Sequence, residues 1–302
     1  MKTLVTGGTG LIGSAIESDY FDIKISSRYD LRDRESTEKI FCETMPEAVI
    51  HCAARVGGLG ANMAAKGEFF YDNIMINTNV IECARKYNVK KLVAFLSTCV
   101  FPEDVDYPID ESKIHLGEPH SSNYPYAYAK RMVDVQIRAY REQYGLNYTS
   151  IIPTNVYGPN DNFNLENGHV IPSLIHKCYI ARETGVPFEI WGTGQPLREF
   201  IFSRDVAILS KRILEEYEGE EPIIVSTSEE VSINQVVDII KRAMQYRGKI
   251  KWLFDKPDGQ LRKPSNNKKL KELFPDFSFT PLEDGILETV EWFEKNYQNA
   301  RK

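Results

Sequence analysis

The 302-residue sequence contains no run approaching the roughly 20 apolar residues that a membrane-spanning helix needs, and no charged-then-apolar leader precedes its first strand. Its five cysteines are odd in number and nowhere spaced CxxC, which argues against a disulfide framework or a zinc site. Internal repeats and low-complexity tracts are absent. A reduced, cytoplasmic setting is expected. Positive charge is also in deficit: the net charge of -6 argues against a nucleic-acid partner, although a small basic pocket for phosphates fits inside that total. What is present is ordinary globular material, 42% hydrophobic and 26% charged, enough for one large domain or two smaller ones.

Strands and helices alternate along the chain. "KTLVT" reads as a strand, "LIGSAIESDY" as a helix, "IKIS" as a strand, "ESTEKIFCE" as a helix and "EAVIHCAA" as a strand. Then come a helix near "NTNVIECARKY", the strand "KLVAFLS", a long helix from Pro125 to Tyr144 and the strand "YTSIIPT". Strands apolar on both faces, alternating with helices, predict an α/β fold with a parallel sheet covered on both sides. After Thr154, Pro, Gly and Asn cluster in "PTNVYGPNDNFNLENGHVIP", a boundary to a smaller, mainly helical lobe. "REFIFSRDVAILSKRIL" looks like a strand and helix returning to the sheet. The expected division is therefore 1–156, with a return near 196–228, against 157–195 and 229–302.

In "LVTGGTGLIGSAI", Gly7, Gly10 and Gly13 recur every three residues between a strand and a helix. A tight turn, close backbone approach to a pyrophosphate and a free helix N-terminus each require one of them. Past the second strand, an NAD site usually offers a carboxylate to the ribose. Here Ser26, Ser27 and Arg28 come first, with Asp30 and Asp33 beyond, which suits the 2′-phosphate of NADP better. In "YAYAK", Tyr126 and Lys130 lie one helical turn apart, so an ammonium favours the ionised phenol and lowers its pKa. Ser97, at the end of its strand, can bind the same substrate oxygen as Tyr126. Tyr128 has no lysine four residues on. Cys42, Cys52, Cys83, Cys178 and His51 are read as structural.

"TGGTGLIG", Ser97 and "YAYAK" together resemble the extended short-chain dehydrogenase/reductase family. "HCAARVGGLGAN", "LSTCVFP", "PYAYAKRMVDVQ", "IPTNVYGPNDNF", "GHVIPSLIHK" and "WGTGQPLREFIFSRDVA" extend the likeness over most of the chain, in order. The resemblance implies a Rossmann-type fold with a substrate-binding lobe. It also implies NADP(H) held by Gly7, Thr9, Gly10, Leu11, Ile12, Gly13, Ser27, Arg28, Asp30, Tyr126 and Lys130. The finer features imply conversion of GDP-4-keto-6-deoxy-D-mannose to GDP-L-fucose by epimerisation at C3 and C5 and reduction at C4. The C4 ketone acidifies the hydrogens on C3 and C5, and inverting each centre needs proton carriers on both faces of the ring. By resemblance these are Cys99 and His169, beside catalytic Ser97, Tyr126 and Lys130. Asn155, Lys177, Trp191, Arg198 and Lys263 would meet the nucleotide sugar, Arg198 through its planar fork on the pyrophosphate. Lys177 departs from an arginine found there in some relatives, and Thr9 from a basic residue of some bacterial members. No metal is called for, and a homodimer built on helices after Asn73 and around Tyr126 is expected. Alternatives are a nucleotide-sugar 4-epimerase or 4,6-dehydratase, though a dehydratase would carry an acidic pair in place of "STC", and a catalytically silent NADP-binding protein.

Overall fold

The computed structural model describes residues 1–17, 23–26, 28–256 and 258–302. The first half runs β1 (Thr3–Thr6), α1 (Leu11–Ala15), β2 (Ile23–Lys24), α2 (Arg34–Thr44), β3 (Ala48–His51), α3 (Leu59–Ala64), α4 (Lys66–Lys86), β4 (Lys91–Phe95), α5 (Tyr124–Tyr144) and β5 (Asn147–Pro153). The second runs β6 (Asn155–Tyr157), α6 (Val170–Thr184), β7 (Phe188–Trp191), β8 (Leu197–Phe202), α7 (Ser203–Glu216) and β9 (Ile223–Val225). It ends with β10 (Glu230–Ser232), α8 (Ile233–Ala243), β11 (Ile250–Leu253), α9 (Lys268–Leu273) and α10 (Leu282–Asn296).

Six parallel strands form the main sheet in the order β2-β1-β3-β4-β5-β9. Successive side chains of a strand point to opposite faces, so the sheet carries two cores. Leu4, Val49, Leu92 and Ile152 pack on one side with Phe41 of α2, Ile81 of α4 and Val133 of α5. Val5, Ile50, Val93 and Ile151 pack on the other with Val206, Leu209 and Ile213 of α7. Each such buried side chain is worth about 1.5–3 kcal/mol of transfer free energy. From β1 the chain goes to β2 on one side and then to β3 on the other, and the crevice at such a reversal is where open parallel sheets bind ligands.

A third core, outside this sheet, gathers Phe163, Ile175, Phe188, Phe202, Val237 and Phe293, with Phe163 stacked on Phe293 at 4.3 Å.

Three details differ from the sequence reading. α1 ends at Ala15, short of the expected run, and residues 18–22 lie outside the described set. The strand of "REFIFS" does not return to the main sheet: β8 pairs with β6 and β10, its helix α7 packs on the main sheet, and β9 supplies the returning strand. The terminal part is not only helical, because β10 joins β8 and β11 pairs with β7.

Candidate active site

The glycine turn sits at the strand reversal. Gly7 has φ +68°, open to glycine, and a Cβ there would stand 2.9 Å from the Ala53 nitrogen just past β3. A Cβ on Gly13 would run into the Gly7 carbonyl oxygen, so the turn closes only with both side chains absent. Gly10 caps α1 without a side-chain bond, and the first-turn amides of Leu11 and Ile12 have no partner within the helix. Thr9 is exposed at the tip of this turn. These features fit a dinucleotide diphosphate. Beyond β2, Arg28 is exposed with its guanidinium 5.2 Å from the Tyr29 ring centroid. Ser27 lies outside the described residues. Asp30 is gripped by Arg32 at 2.9 and 2.8 Å, which holds its carboxyl below the usual range, and Arg32 continues to Asp72 at 3.1 Å. Asp33 caps α2.

Ser97 follows β4 and caps a single 3₁₀ turn, Thr98–Val100, its Oγ accepting from the Cys99 N–H at 3.5 Å. Lys130 of α5 is buried and donates to the carbonyl of Phe95, the last residue of β4, at 2.8 Å. One bond thus ties the helix bearing Tyr126 to the strand end bearing Ser97 and Cys99. The Lys130 Nζ stands 6.0 Å from the Tyr126 ring centroid, and Phe69 of α4 packs edge-on against that ring at 6.2 Å.

Burial pulls the Lys130 ammonium down to about 8, against an opposing pull from Cys99 and Cys52. Burial, with Cys99 beside it, pushes the Tyr126 phenol upward. The direction is opposite to the lowered phenol expected, because the ring is buried and the Lys130 ammonium is bonded to a carbonyl and not to the phenol. The Cys99 thiol is likewise raised by burial, while Ser97, Lys263 and Lys130 pull it back.

His169 caps α6 with backbone only, its side chain 47% exposed and its Nδ1 4.0 Å from Asp161 Oδ1. A glycine loop spans from here toward Tyr126. The Gly58 N–H donates to Asn167 O at 2.9 Å, and a Cβ on Gly58 would stand 2.8 Å from Gly168 O. Next to it, a Cβ on Gly57 would stand 3.2 Å from the Phe69 ring, which packs on Tyr126.

Thr98, Thr154, Asn155, Arg198, Glu199, Gln260 and Lys263 line a pocket of about 90 Å³, joining three expected substrate residues to the neighbour of Cys99. Burial lowers both the Arg198 guanidinium and the Lys263 ammonium. Trp191 and Lys177 form a second group, with the Lys177 Nζ 4.7 Å from the indole centroid. Asp258 links the groups: it accepts from the Thr193 N–H and hydroxyl, each at 2.7 Å, and its charge acts on Arg198. A larger cavity of about 720 Å³ is lined by Pro102, Glu103, Leu116, Tyr124 and Tyr128 and holds none of the expected catalytic groups.

The family model for the NAD dependent epimerase/dehydratase family matches residues 3–226. A GDP-L-fucose synthase of Dictyostelium discoideum is 50% identical, covering 99% of this chain and 97% of the relative. The chain belongs to the GDP-L-fucose synthase family. A probable GDP-L-fucose synthase of Drosophila melanogaster is 43% identical over 100% of this chain and 99% of its own. The crystal structure of a GDP-L-fucose synthetase from Naegleria fowleri bound to NADP superposes with a TM-score of 0.94 at 43% identity, covering 99% of this chain and 96% of that one.

Within this member of the GDP-L-fucose synthase family, two site residues escaped the sequence reading. Glu199 is buried and accepts from Ser226 Oγ and Ser265 N–H, both at 2.8 Å, while its own carbonyl accepts from Asn155 Nδ2 at 2.9 Å. It thereby fixes the segments carrying Arg198, Asn155 and Lys263. Its signal was a carboxylate inside the apolar strand "LREFIF". Asp161, buried behind His169, left no signal in a loop already rich in turn-forming residues.

Proposed function

We propose that this chain converts GDP-4-keto-6-deoxy-D-mannose to GDP-L-fucose by epimerisation at C3 and C5 followed by NADPH-dependent reduction at C4. The observation that carries the reading is the Cys99 thiol, two residues past Ser97 in the turn that Ser97 caps, just beyond the β4 end to which Lys130 is hydrogen-bonded. A plain 4-reductase or 4-epimerase needs Ser97, Tyr126 and Lys130; a thiol in their midst adds a proton carrier for carbon.

The turn of Gly7, Thr9, Gly10, Leu11, Ile12 and Gly13 would hold the dinucleotide, with Arg28 on the 2′-phosphate and Lys130 and Tyr126 at its far end. Asp30 is held by Arg32, and the Arg28 guanidinium is exposed beyond β2, where it would meet the phosphate. When bound, the reduced cofactor supplies the hydride for C4. Ser97 and Tyr126 hold the C4 oxygen, which draws charge off C3 and C5 when a proton leaves either carbon. Cys99 and His169 remove and return those protons from opposite faces, and Tyr126 protonates the C4 oxygen as reduction proceeds. Lys130, at about 8, is cationic near neutrality and favours negative charge on that oxygen. Arg198 and Lys263 would meet the diphosphate, Trp191 and Lys177 the nucleotide base side, and Asn155 the sugar. We assign 1–156, apart from Asn155 at its end, to the dinucleotide and 157–195 with 229–302 to the substrate; within 196–228, β8 with Arg198 serves the substrate, while α7 and β9 complete the main sheet.

No helix among the described residues is long and apolar enough to cross a membrane. We place the protein in the cytoplasm, whose reducing conditions suit its five free cysteines, and infer a homodimer because Phe70 and Tyr71 of α4 and Met132 and Val135 of α5 expose apolar surface on two packed helices. The deciding assay supplies the keto sugar and NADPH in heavy water. Loss of NADPH absorbance with an L-configured product deuterated at C3 and C5 is expected; NADPH left untouched would reject the reductase reading in favour of a dehydratase or a silent binding protein.

A further inference from the structure

Asp161 is 3% exposed, yet among the described residues its Oδ2 has no hydrogen-bond partner and its Oδ1 accepts only from the Asn162 N–H, at 2.7 Å. A buried carboxylate is ordinarily hydrogen-bonded or paired, because isolating its charge from water is costly. The ionisable side chain it faces is His169, with Nδ1 4.0 Å from Oδ1, too long for a hydrogen bond and short enough for strong charge coupling whenever the ring is protonated.

The loop holding the two residues is fastened along its length. Asn162 Oδ1 accepts from the Asn164 N–H at 3.1 Å, and Asn164 Oδ1 accepts from the Glu166 and Asn167 N–H groups at 2.9 and 2.8 Å. The Phe163 N–H donates to Arg301 O at 2.7 Å, and its ring is stacked in the third core. The carboxylate is therefore held in place and does not merely occupy a mobile turn.

We infer that Asp161 is a positioning residue for His169, orienting the imidazole through Nδ1 and stabilising its protonated form so that the other ring nitrogen can deliver a proton to carbon. The inference rests on the proposed epimerisation. In the step, the imidazolium gives its proton to the enolate carbon and becomes neutral imidazole; the carboxylate keeps its charge throughout, and the exposed ring is reprotonated by water. A carboxylate left without a full set of donors keeps its attraction for the ring undiluted.

The charged groups acting on Asp161 are His169 and, from the C-terminal segment, Arg301. Burial pushes its carboxyl up to about 6 while those two cations pull it down. Since the folded pKa is raised, the carboxylate is present above about 6 and is lost as pH falls through that value, so the support given to His169 fades there.

The test compares wild type with Asp161→Asn. In the variant, deuterium entry at the His169-dependent carbon should fall by about tenfold to a hundredfold, part of the worth of a proton carrier. The wild-type exchange rate should also fall as pH drops through about 6, a limb that Asp161→Asn should lack. A wild-type exchange rate and an unchanged pH profile in Asp161→Asn would overturn the inference. Should that variant not fold, the reciprocal one decides. With carbon-13 in its aspartates, His169→Asn should show the Asp161 carboxyl titrating at higher pH than in wild type, and an unchanged midpoint overturns the pairing. Wild type is judged separately: failure to form an L-configured product rejects the epimerase reading itself.

Discussion

In the proposed mechanism Cys99 and Tyr126 act on one sugar at different atoms, which makes them separable by substitution. Cys99→Ser keeps the hydrogen-bonding shape but raises the group's pKa far beyond neutrality, so deuterium entry at C3 and C5 should nearly cease. Reduction, which draws on Tyr126, should continue slowly and yield a D-configured 6-deoxy product; full exchange at both carbons would show the thiol to be packing alone. Lys130 gives a pH signature. Its buried ammonium, pulled down to about 8, is charged below that value and neutral above it, so kcat/KM for reduction should fall as pH rises through about 8. Lys130→Met should be slow at every pH and lack that limb. Tyr126 and Lys130 were legible in "YAYAK" because helical spacing puts them on one face, whereas Cys99 in "LSTCVFP" stood out through the family resemblance and not through spacing. The direction of the phenol shift was not legible. It depends on how much protein surrounds the ring and on the Phe95 carbonyl accepting the lysine's hydrogen bond, and neither is written locally.

The β1–α1 turn is the element most fully encoded by its own residues. Gly13→Ala places a methyl against the Gly7 carbonyl oxygen, which is backbone and cannot swing away, so NADPH affinity should drop by at least about tenfold and melting temperature should fall. Retention of wild-type affinity by fluorescence titration would show that the turn can open without loss. Elements of the main sheet were readable from uninterrupted apolar runs such as β3 and β4, buried at nearly every position. α4 was caught only in its second half. Its first turns mix Lys66, Gly67, Glu68 and two phenylalanines, a pattern without one apolar stripe, and tertiary packing against α5 supplies what local preference does not. β8 was assigned to the wrong sheet for a similar reason: an apolar strand says that it is buried and does not name its neighbour.

Across the whole molecule, the exposed apolar side chains of α4 and α5 predict self-association. Sedimentation should show a dimer, and Val135→Glu, which puts a charge at 40% exposed surface, should shift it toward monomer with little change in the fold. An unaltered dimer would place the interface elsewhere. The outline of the nucleotide end was visible early in the sequence; the completed site was not, because it draws on segments far apart in the chain. The fastening of the His169 loop by Arg301 gives this separation a temporal side. The guanidinium of Arg301 bonds Asn160 O across 141 positions, and its carbonyl holds Phe163. During synthesis at about 5–20 residues per second, the loop emerges on the order of ten seconds before its anchor exists. A nascent chain can therefore finish its dinucleotide turn while the His169 loop is still unsecured, so that loop waits for an anchor made 141 positions later.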